Sequence, residues 1–250
     1  MKTKTIIVIA VIIIVFIGTI VAVAVPWGRN SNEEYVYRKF SDHIEILEYK
    51  GIDYDVTVPA EIEGLAVTVI GDGAFSENTR LEKITFGKNT VSVGTDAFRG
   101  CTSLTEIVMN DAVEELGSGC FASCTSLTSF TVPATVQTLG GELLYGCKNV
   151  ETVVLPSNPG FQSIGSSAFR GCTSLKSIVI PEGVDSIGTK VFQDCTSLKN
   201  VSLPGTLVYI ANDSIFKNCT ALDKIFTVKD SKADQWCRNN GFADKVAYSG

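Results

Sequence analysis

Eight cysteines and a single histidine are the side chains of this chain best suited to covalent or metal chemistry. Six of the thiols, Cys101, Cys124, Cys147, Cys172, Cys195 and Cys219, recur at steps of 23 to 25 residues, which makes them one column of a repeating structure. Stacked strands lie ~4.8 Å apart, so neighbouring Cα atoms in such a column are within disulfide range. Parallel Cβ vectors nevertheless hold the Cβ atoms beyond the ~3.8 Å that a disulfide prefers. The spacing therefore favours a ladder of reduced, buried thiols over a disulfide framework, with small apolar side chains filling each rung. Cys120 occupies the place of Ala74, Ala97 and Ala168 and reads as core, whereas Cys237, near the C-terminus, reads as the least buried thiol.

His43 stands alone, which excludes a zinc site built on a pair of histidines. A Cys–His dyad would have to join an N-terminal strand to the thiol ladder, and His43 reads instead as a half-exposed strand residue. Neither a Gly-x-Ser-x-Gly turn nor a phosphate-binding glycine loop occurs. Gly71-Asp72-Gly73 lacks the alternating ligands of a calcium loop. Glu114 and Glu115 are adjacent, so an extended backbone sends them to opposite faces. The sequence thus assigns no catalytic residue, no metal site and no cofactor, and the chain is read as non-enzymatic.

The elements that position the thiols follow from the same period. Phe75, Phe98, Phe121, Leu144, Phe169, Phe192 and Phe216 mark seven repeats over residues 67–228. A period of this length indicates stacked structural units before any other interpretation. Each repeat opens a strand at Leu81, Leu104, Leu127, Val150, Leu175, Leu198 or Leu222, with inward residues three and five positions on, such as Ile178 and Ile180. Pro133, Pro156, Pro181 and Pro204 end their strands where a missing N–H is tolerated. A second short extended piece, exemplified by Val184 and Ile187, is followed by a glycine column, Gly71, Gly94, Gly117, Gly140, Gly165 and Gly188, read as turns with positive φ. Insertions at 157–160 and between Ala211 and Ile215 are expected to bulge outward. Alternation over 35–37 and 43–49 predicts a β-hairpin within an N-terminal cap spanning 35–66. Ser231 and Gly241 bracket a predicted helix in a C-terminal cap over 229–250.

Ahead of the fold, Ile6 to Val25 are apolar except for Gly18 and Thr19. As a helix these residues would span about 30 Å, the thickness of a bilayer's hydrocarbon. Lys2 and Lys4 would leave the start in the cytoplasm and export the remainder. Residues 1–25 are therefore read as a transmembrane signal-anchor, or as a signal peptide cleaved after Ala24, with a polar linker over 26–34. Without Lys2 and Lys4 the chain carries 19 basic against 27 acidic residues, which argues against nucleic acid.

The consensus Val-x-x-Ile-Gly-x-x-Ala-Phe-x-x-Cys-x-x-Leu-x-x-Ile-x-Ile-Pro resembles the BspA-like leucine-rich repeats over about residues 52–245. The resemblance implies a leucine-rich repeat solenoid, β-rich though α/β by convention, curved as a right-handed superhelix with one parallel sheet on its concave face. It also implies a surface-exposed or secreted protein in a family that includes adhesins. Asn78 in place of cysteine, Leu143-Leu144 in place of Ala-Phe, and Ala211 in place of glycine depart from the pattern.

The residues flanking each inward position supply the candidate site. Glu82, Lys83, Thr105, Glu106, Thr128, Ser129, Glu151, Thr152, Lys176, Ser177, Lys199 and Asn200 are expected on the concave face, a ribbon of hydroxyls between acidic early rungs and basic later ones. Solenoids bind through such extended surfaces. The expected function is non-catalytic recognition or adhesion towards a protein or glycan at a cell surface, and the alternative is a structural spacer or envelope component without a specific ligand.

Overall fold

A computed structural model describes residues 9–16, 19–26, 29–32, 34–211 and 214–248. Its core is a β-solenoid whose every rung contributes a strand from the Leu-x-x-Ile segment. These strands are Asp55–Thr57, Lys83–Thr85, Glu106–Val108, Ser129–Thr131, Thr152–Val154, Ser177–Val179, Asn200–Ser202, Lys224–Thr227 and Val246–Tyr248. All their pairings are parallel and in register, so Ile84 lies beside Ile107 and Ile178 beside Val201 beside Ile225. The ladder has one strand more at each end than the seven repeats supply. Asp55–Thr57 caps it before the first repeat, and Val246–Tyr248 extends it after the last. Pairing is interrupted at two steps, between Glu106–Val108 and Ser129–Thr131, and between Thr152–Val154 and Ser177–Val179.

The short extended pieces form a second parallel ladder, from Leu65–Ile70 through Ser92–Val93 to Glu115–Leu116, and from Thr138–Leu139 through Ser163–Ile164 and Ser186–Ile187 to Tyr209–Ile210. The glycines that follow it do not serve the purpose read from the sequence. Positive φ falls elsewhere, two residues before and two after each column aromatic, as at Asp96 (55°), Gly119 (64°), Ser123 (61°), Gly146 (72°) and Asp194 (65°). Gly94, Gly117, Gly140 and Gly165 are required instead by stacking. A Cβ on Gly117 would lie 2.6 Å from the backbone carbon of Gly94, and one on Gly165 would lie 2.7 Å from that of Gly140. At this corner consecutive rungs meet backbone to backbone, and only hydrogen fits between them.

The third side carries the Ala-Phe turns, which are themselves tied from rung to rung. Phe75 N donates to Ala97 O at 2.7 Å and Phe98 N to Cys120 O at 2.8 Å. The rings stack inside, with centroids 4.9 Å apart for Phe75 and Phe98 and 5.7 Å for Phe169 and Phe192. Each fully buried ring contributes about 2–3 kcal/mol of transfer free energy. Leu144 interrupts the aromatic stack, and the bulk of Leu143 beside it, where other rungs have alanine, fills the space; both are fully buried.

Both ends are closed. Tyr35–Lys39 and His43–Tyr49 form an antiparallel hairpin whose second strand lies parallel on Leu65–Ile70, and the Tyr49 ring stacks 5.1 Å from Phe75. At the other end, the Ser231 hydroxyl accepts from Asp234 N and starts the helix Lys232–Asn239. Ala233 and Cys237 of this helix are buried, while Trp236 and Phe242 pack against Phe216. Cys237, expected to be the least protected thiol, is fully buried because its helix face closes the last rung.

The apolar N-terminal segment departs from expectation. Ile9–Phe16 pairs antiparallel with Thr19–Pro26, and among the described residues no helix is long and apolar enough to cross a membrane. Isoleucine and valine dominate both strands, and β-branched residues suit extended backbone better than helix. The insertion at 157–160 forms a half-exposed loop, tied to the preceding rung where Asn158 Nδ2 donates to Ala134 O at 2.5 Å. Part of the other insertion lies outside the described residues.

Candidate functional site: the outward face of the first ladder

Alternation along three-residue strands turns every second side chain away from the core. Of the twelve residues singled out in the sequence, Lys83, Glu106, Ser129, Thr152, Ser177 and Asn200 open the strands of this face, and Glu82, Thr105, Thr128, Glu151, Lys176 and Lys199 each stand one residue ahead of them; eleven are exposed and Lys83 is half-buried. Register sets their neighbours. Lys83 stands beside Glu106, Ser129 beside Thr152, and Ser177 beside Asn200. Lys83 Nζ lies 3.0 Å from Glu106 Oε1, and Lys176 Nζ lies 2.5 Å from Glu151 Oε2. The acidic and basic ends of the ribbon therefore touch in the middle of the ladder. Lys199 and Lys224, further on, have no ion-pair partner among the described residues. The Thr105 hydroxyl donates to Glu82 O at 3.0 Å, which turns one hydroxyl of the ribbon back onto the backbone.

A third outward column runs beside these two, through Thr85, Val108, Thr131, Val154, Val179, Ser202, Phe226 and Ala247. Val154, Val179 and Phe226 are 50%, 66% and 36% exposed. This apolar strip belongs to the face as much as the charges do. Its signal in the sequence was the valine two places after Glu106, Thr152 and Ser177, which a search for polar chemistry passes over.

The first interruption of the ladder opens a cleft of about 560 Å³ between Glu106–Val108 and Ser129–Thr131. Asn110 stands where other rungs have proline. Its Nδ2 donates to Gly87 O at 2.5 Å and Thr90 O at 3.1 Å, and its Oδ1 accepts from Ala112 N at 2.7 Å. That side chain ties its rung to the preceding one, and the following rung stands away. Ile107 and Met109 are consequently half-buried, whereas Phe130 and Val132, their counterparts one rung on, are buried.

The thiols point away from this face. Each column cysteine donates its S–H to the carbonyl of the aromatic-column residue of the preceding rung. Cys101 Sγ reaches Phe75 O at 3.1 Å, Cys124 Sγ reaches Phe98 O at 3.2 Å, Cys147 Sγ reaches Phe121 O at 3.1 Å, and Cys195 Sγ reaches Phe169 O at 3.1 Å. All eight thiols are free, and only Cys219 is less than fully buried. Burial pushes Cys101, Cys147 and Cys237 up to about 12 and holds Cys120, Cys124 and Cys172 well above the ordinary thiol range. A nucleophilic cysteine needs the opposite shift. His43 stacks on Phe40 with ring centroids 4.4 Å apart, and its Nδ1 lies 2.8 Å from Asp42 Oδ1, in the N-terminal hairpin.

Stacked parallel rungs with a recurrent Leu-x-x-Ile strand, closed by caps and offering a broad exposed sheet face, define a leucine-rich repeat solenoid. The chain belongs to the BspA type leucine-rich repeat family, whose model matches residues 60–161 and 141–233 in six copies. It is similar to the crystal structure of the T. pallidum leucine-rich repeat protein, with 25% identity, a TM-score of 0.55, and 88% of this chain and 98% of that one covered. It also resembles a leucine-rich cell surface protein from Faecalibacterium prausnitzii A2-165, at 19% identity and a TM-score of 0.47, covering 89% of this chain and 98% of that one. No curated protein matches the chain. Proteins of this repeat family are generally non-catalytic interaction or surface scaffolds.

Proposed function

We propose that this chain is an exported, non-catalytic binding protein that recognises a protein or glycan at a cell surface through the outward face of its first ladder. The observation that carries the reading is the composition of that face, where the exposed Val108, Val154, Val179 and Phe226 run beside hydroxyls and beside Lys199 and Lys224, which have no ion-pair partner among the described residues. A surface whose only task is to stay solvated has no need of an apolar strip of this length. The acidic balance of the chain disfavours nucleic acid as partner. Residues 6–25 would either hold the protein in the membrane or, cleaved after Ala24, release it.

Mass spectrometry of protein from membrane and medium fractions separates the two forms, because a released species would begin near Val25. Lys199→Glu in the full chain tests the face, with capture on intact cell surfaces expected to fall at least tenfold. A spacer without a ligand would show no difference between the variant and the wild type.

A further inference from the structure

The cleft between Glu106–Val108 and Ser129–Thr131 is a gap in an otherwise stacked ladder, and its floor is core exposed from the side. Ile107 and Met109 present half-buried aliphatic surface, with Phe130 and Val132 behind them. Glu106 and Asp111 stand at the rim, with Thr105, Ser129 and Thr131 as hydroxyl partners. Glu106 already holds Lys83, whereas Asp111 is exposed and has no ion-pair partner among the described residues. The charge lining the cleft is one-sided: Glu106 and Asp111 are its charged residues, and neither a lysine nor an arginine is among them. Asn110, which also lines the cleft, is tied to the preceding rung.

We propose that this cleft is a recognition pocket for a lysine or arginine side chain of a protein partner, its methylene stem lying on Ile107 and Met109 and its cationic head reaching Asp111. An aliphatic floor with an anionic rim suits an amphipathic cation, which buries its stem and keeps its charge at the edge. Anionic groups are repelled by the rim, and a purely apolar group gains nothing from Asp111, which stays hydrated beside it. The volume of about 560 Å³ lies within the range of small-ligand sites, roughly 300–1,000 Å³. The assignment rests on the reading of this face as the binding surface, and it names the chemistry of one contact within it.

The probes are three blocked tripeptides, Gly-Arg-Gly, Gly-norleucine-Gly and Gly-Glu-Gly, titrated into the isotope-labelled full chain with backbone amide resonances followed. The arginine peptide is expected to shift the amides of Val108, Asp111 and Ser129, at least tenfold more tightly than the norleucine peptide. The glutamate peptide is expected to leave them unmoved. Asp111→Asn should remove the preference for arginine over norleucine, and Asp111→Glu should restore it. Equal binding of all three peptides, norleucine binding as tightly as arginine, or no shift with any peptide would overturn the proposal. If the pocket fails while Lys199→Glu still abolishes surface capture, the pocket alone is wrong. If Lys199→Glu has no effect either, the binding face itself is wrong.

Discussion

Lys176 Nζ lies 2.5 Å from Glu151 Oε2 across the step where pairing between Thr152–Val154 and Ser177–Val179 is interrupted. The side-chain ion pair thus reinforces a step where the backbone of the same two residues makes only a long bond, Lys176 N to Glu151 O at 3.5 Å. Both side chains are more than half exposed, at 64% and 53%, so the pair is screened by solvent. A double-mutant cycle with Lys176→Met and Glu151→Gln is expected to give a coupling of about 0.5 kcal/mol or less, vanishing in molar salt. A coupling above about 2 kcal/mol would mean that the pair holds the solenoid together at this step.

The glycine corner makes a sharper demand. Gly117→Ala would press a methyl group onto the Gly94 backbone, with a loss of about 3 kcal/mol. Gly146→Ala meets only the Ser123 hydroxyl, at 3.5 Å, and bears the cost of a positive φ, about 1 kcal/mol. Non-glycine residues at the matching places of other rungs, Ser123 and Asp194 among them, show that this conformation is tolerated. Urea unfolding of the two variants should rank them in that order, and the reverse order would refute stacking as the reason for the column.

Leu143 and Leu144 exchange bulk with the Ala-Phe pair found in rungs such as Ala97-Phe98. Leu143→Ala alone should leave a cavity and lose about 2–5 kcal/mol. Leu144→Phe alone should overpack by about 1–3 kcal/mol. Together they are expected to come close to the wild type, because the pair then matches its neighbours. Simple additivity of the two losses in unfolding experiments would show that the sites do not share space.

The thiols give stability a pH dependence with a definite sign. Burial raises Cys147 from 9.0 to about 12, so the folded state keeps a proton that the unfolded chain releases. This contribution is complete below pH 9 and is lost as pH rises from 9 to 12. Tyr37 and Tyr49, raised from 10.0 to about 12 by burial and by bonds to Glu63 and Asp53, act in the upper part of the same window. Urea midpoints should therefore fall steeply above pH 9, and less steeply in Cys147→Ala. An unchanged slope in that variant would mean that the Cys147 thiol ionises freely in the folded protein.

The columns were legible because each rung can bury its apolar residues only against its neighbours, which forces Leu81, Ile84 and their successors into strict register. The inward thiol ladder followed from the same period. Val246–Tyr248 was not legible, because it lies beyond the repeat and pairs only by continuing the edge that Lys224–Thr227 leaves open. The glycine column was visible as a pattern, but its cause lay between rungs, where a sequence read one turn at a time suggests a local φ. On the candidate face the polar residues were found, and Val108, Val154 and Val179 were left out of the site because an exposed valine carries no chemical signature of its own. The cleft was not legible either, because strand pairing lapses at that step while the columns stay in phase.

The binding face is tested most directly by surface capture of three full-length proteins: the wild type, a face variant carrying Val154→Asp, Val179→Asp and Lys199→Glu, and a control carrying Val208→Asp, whose residue is 73% exposed beside the second ladder. Association with intact cell surfaces and with arrayed surface proteins and glycans would be compared at equal folded concentration. The face variant is expected to lose at least tenfold in affinity while the control matches the wild type. Equal binding by all three, or equal loss in the control, would contradict recognition through this face.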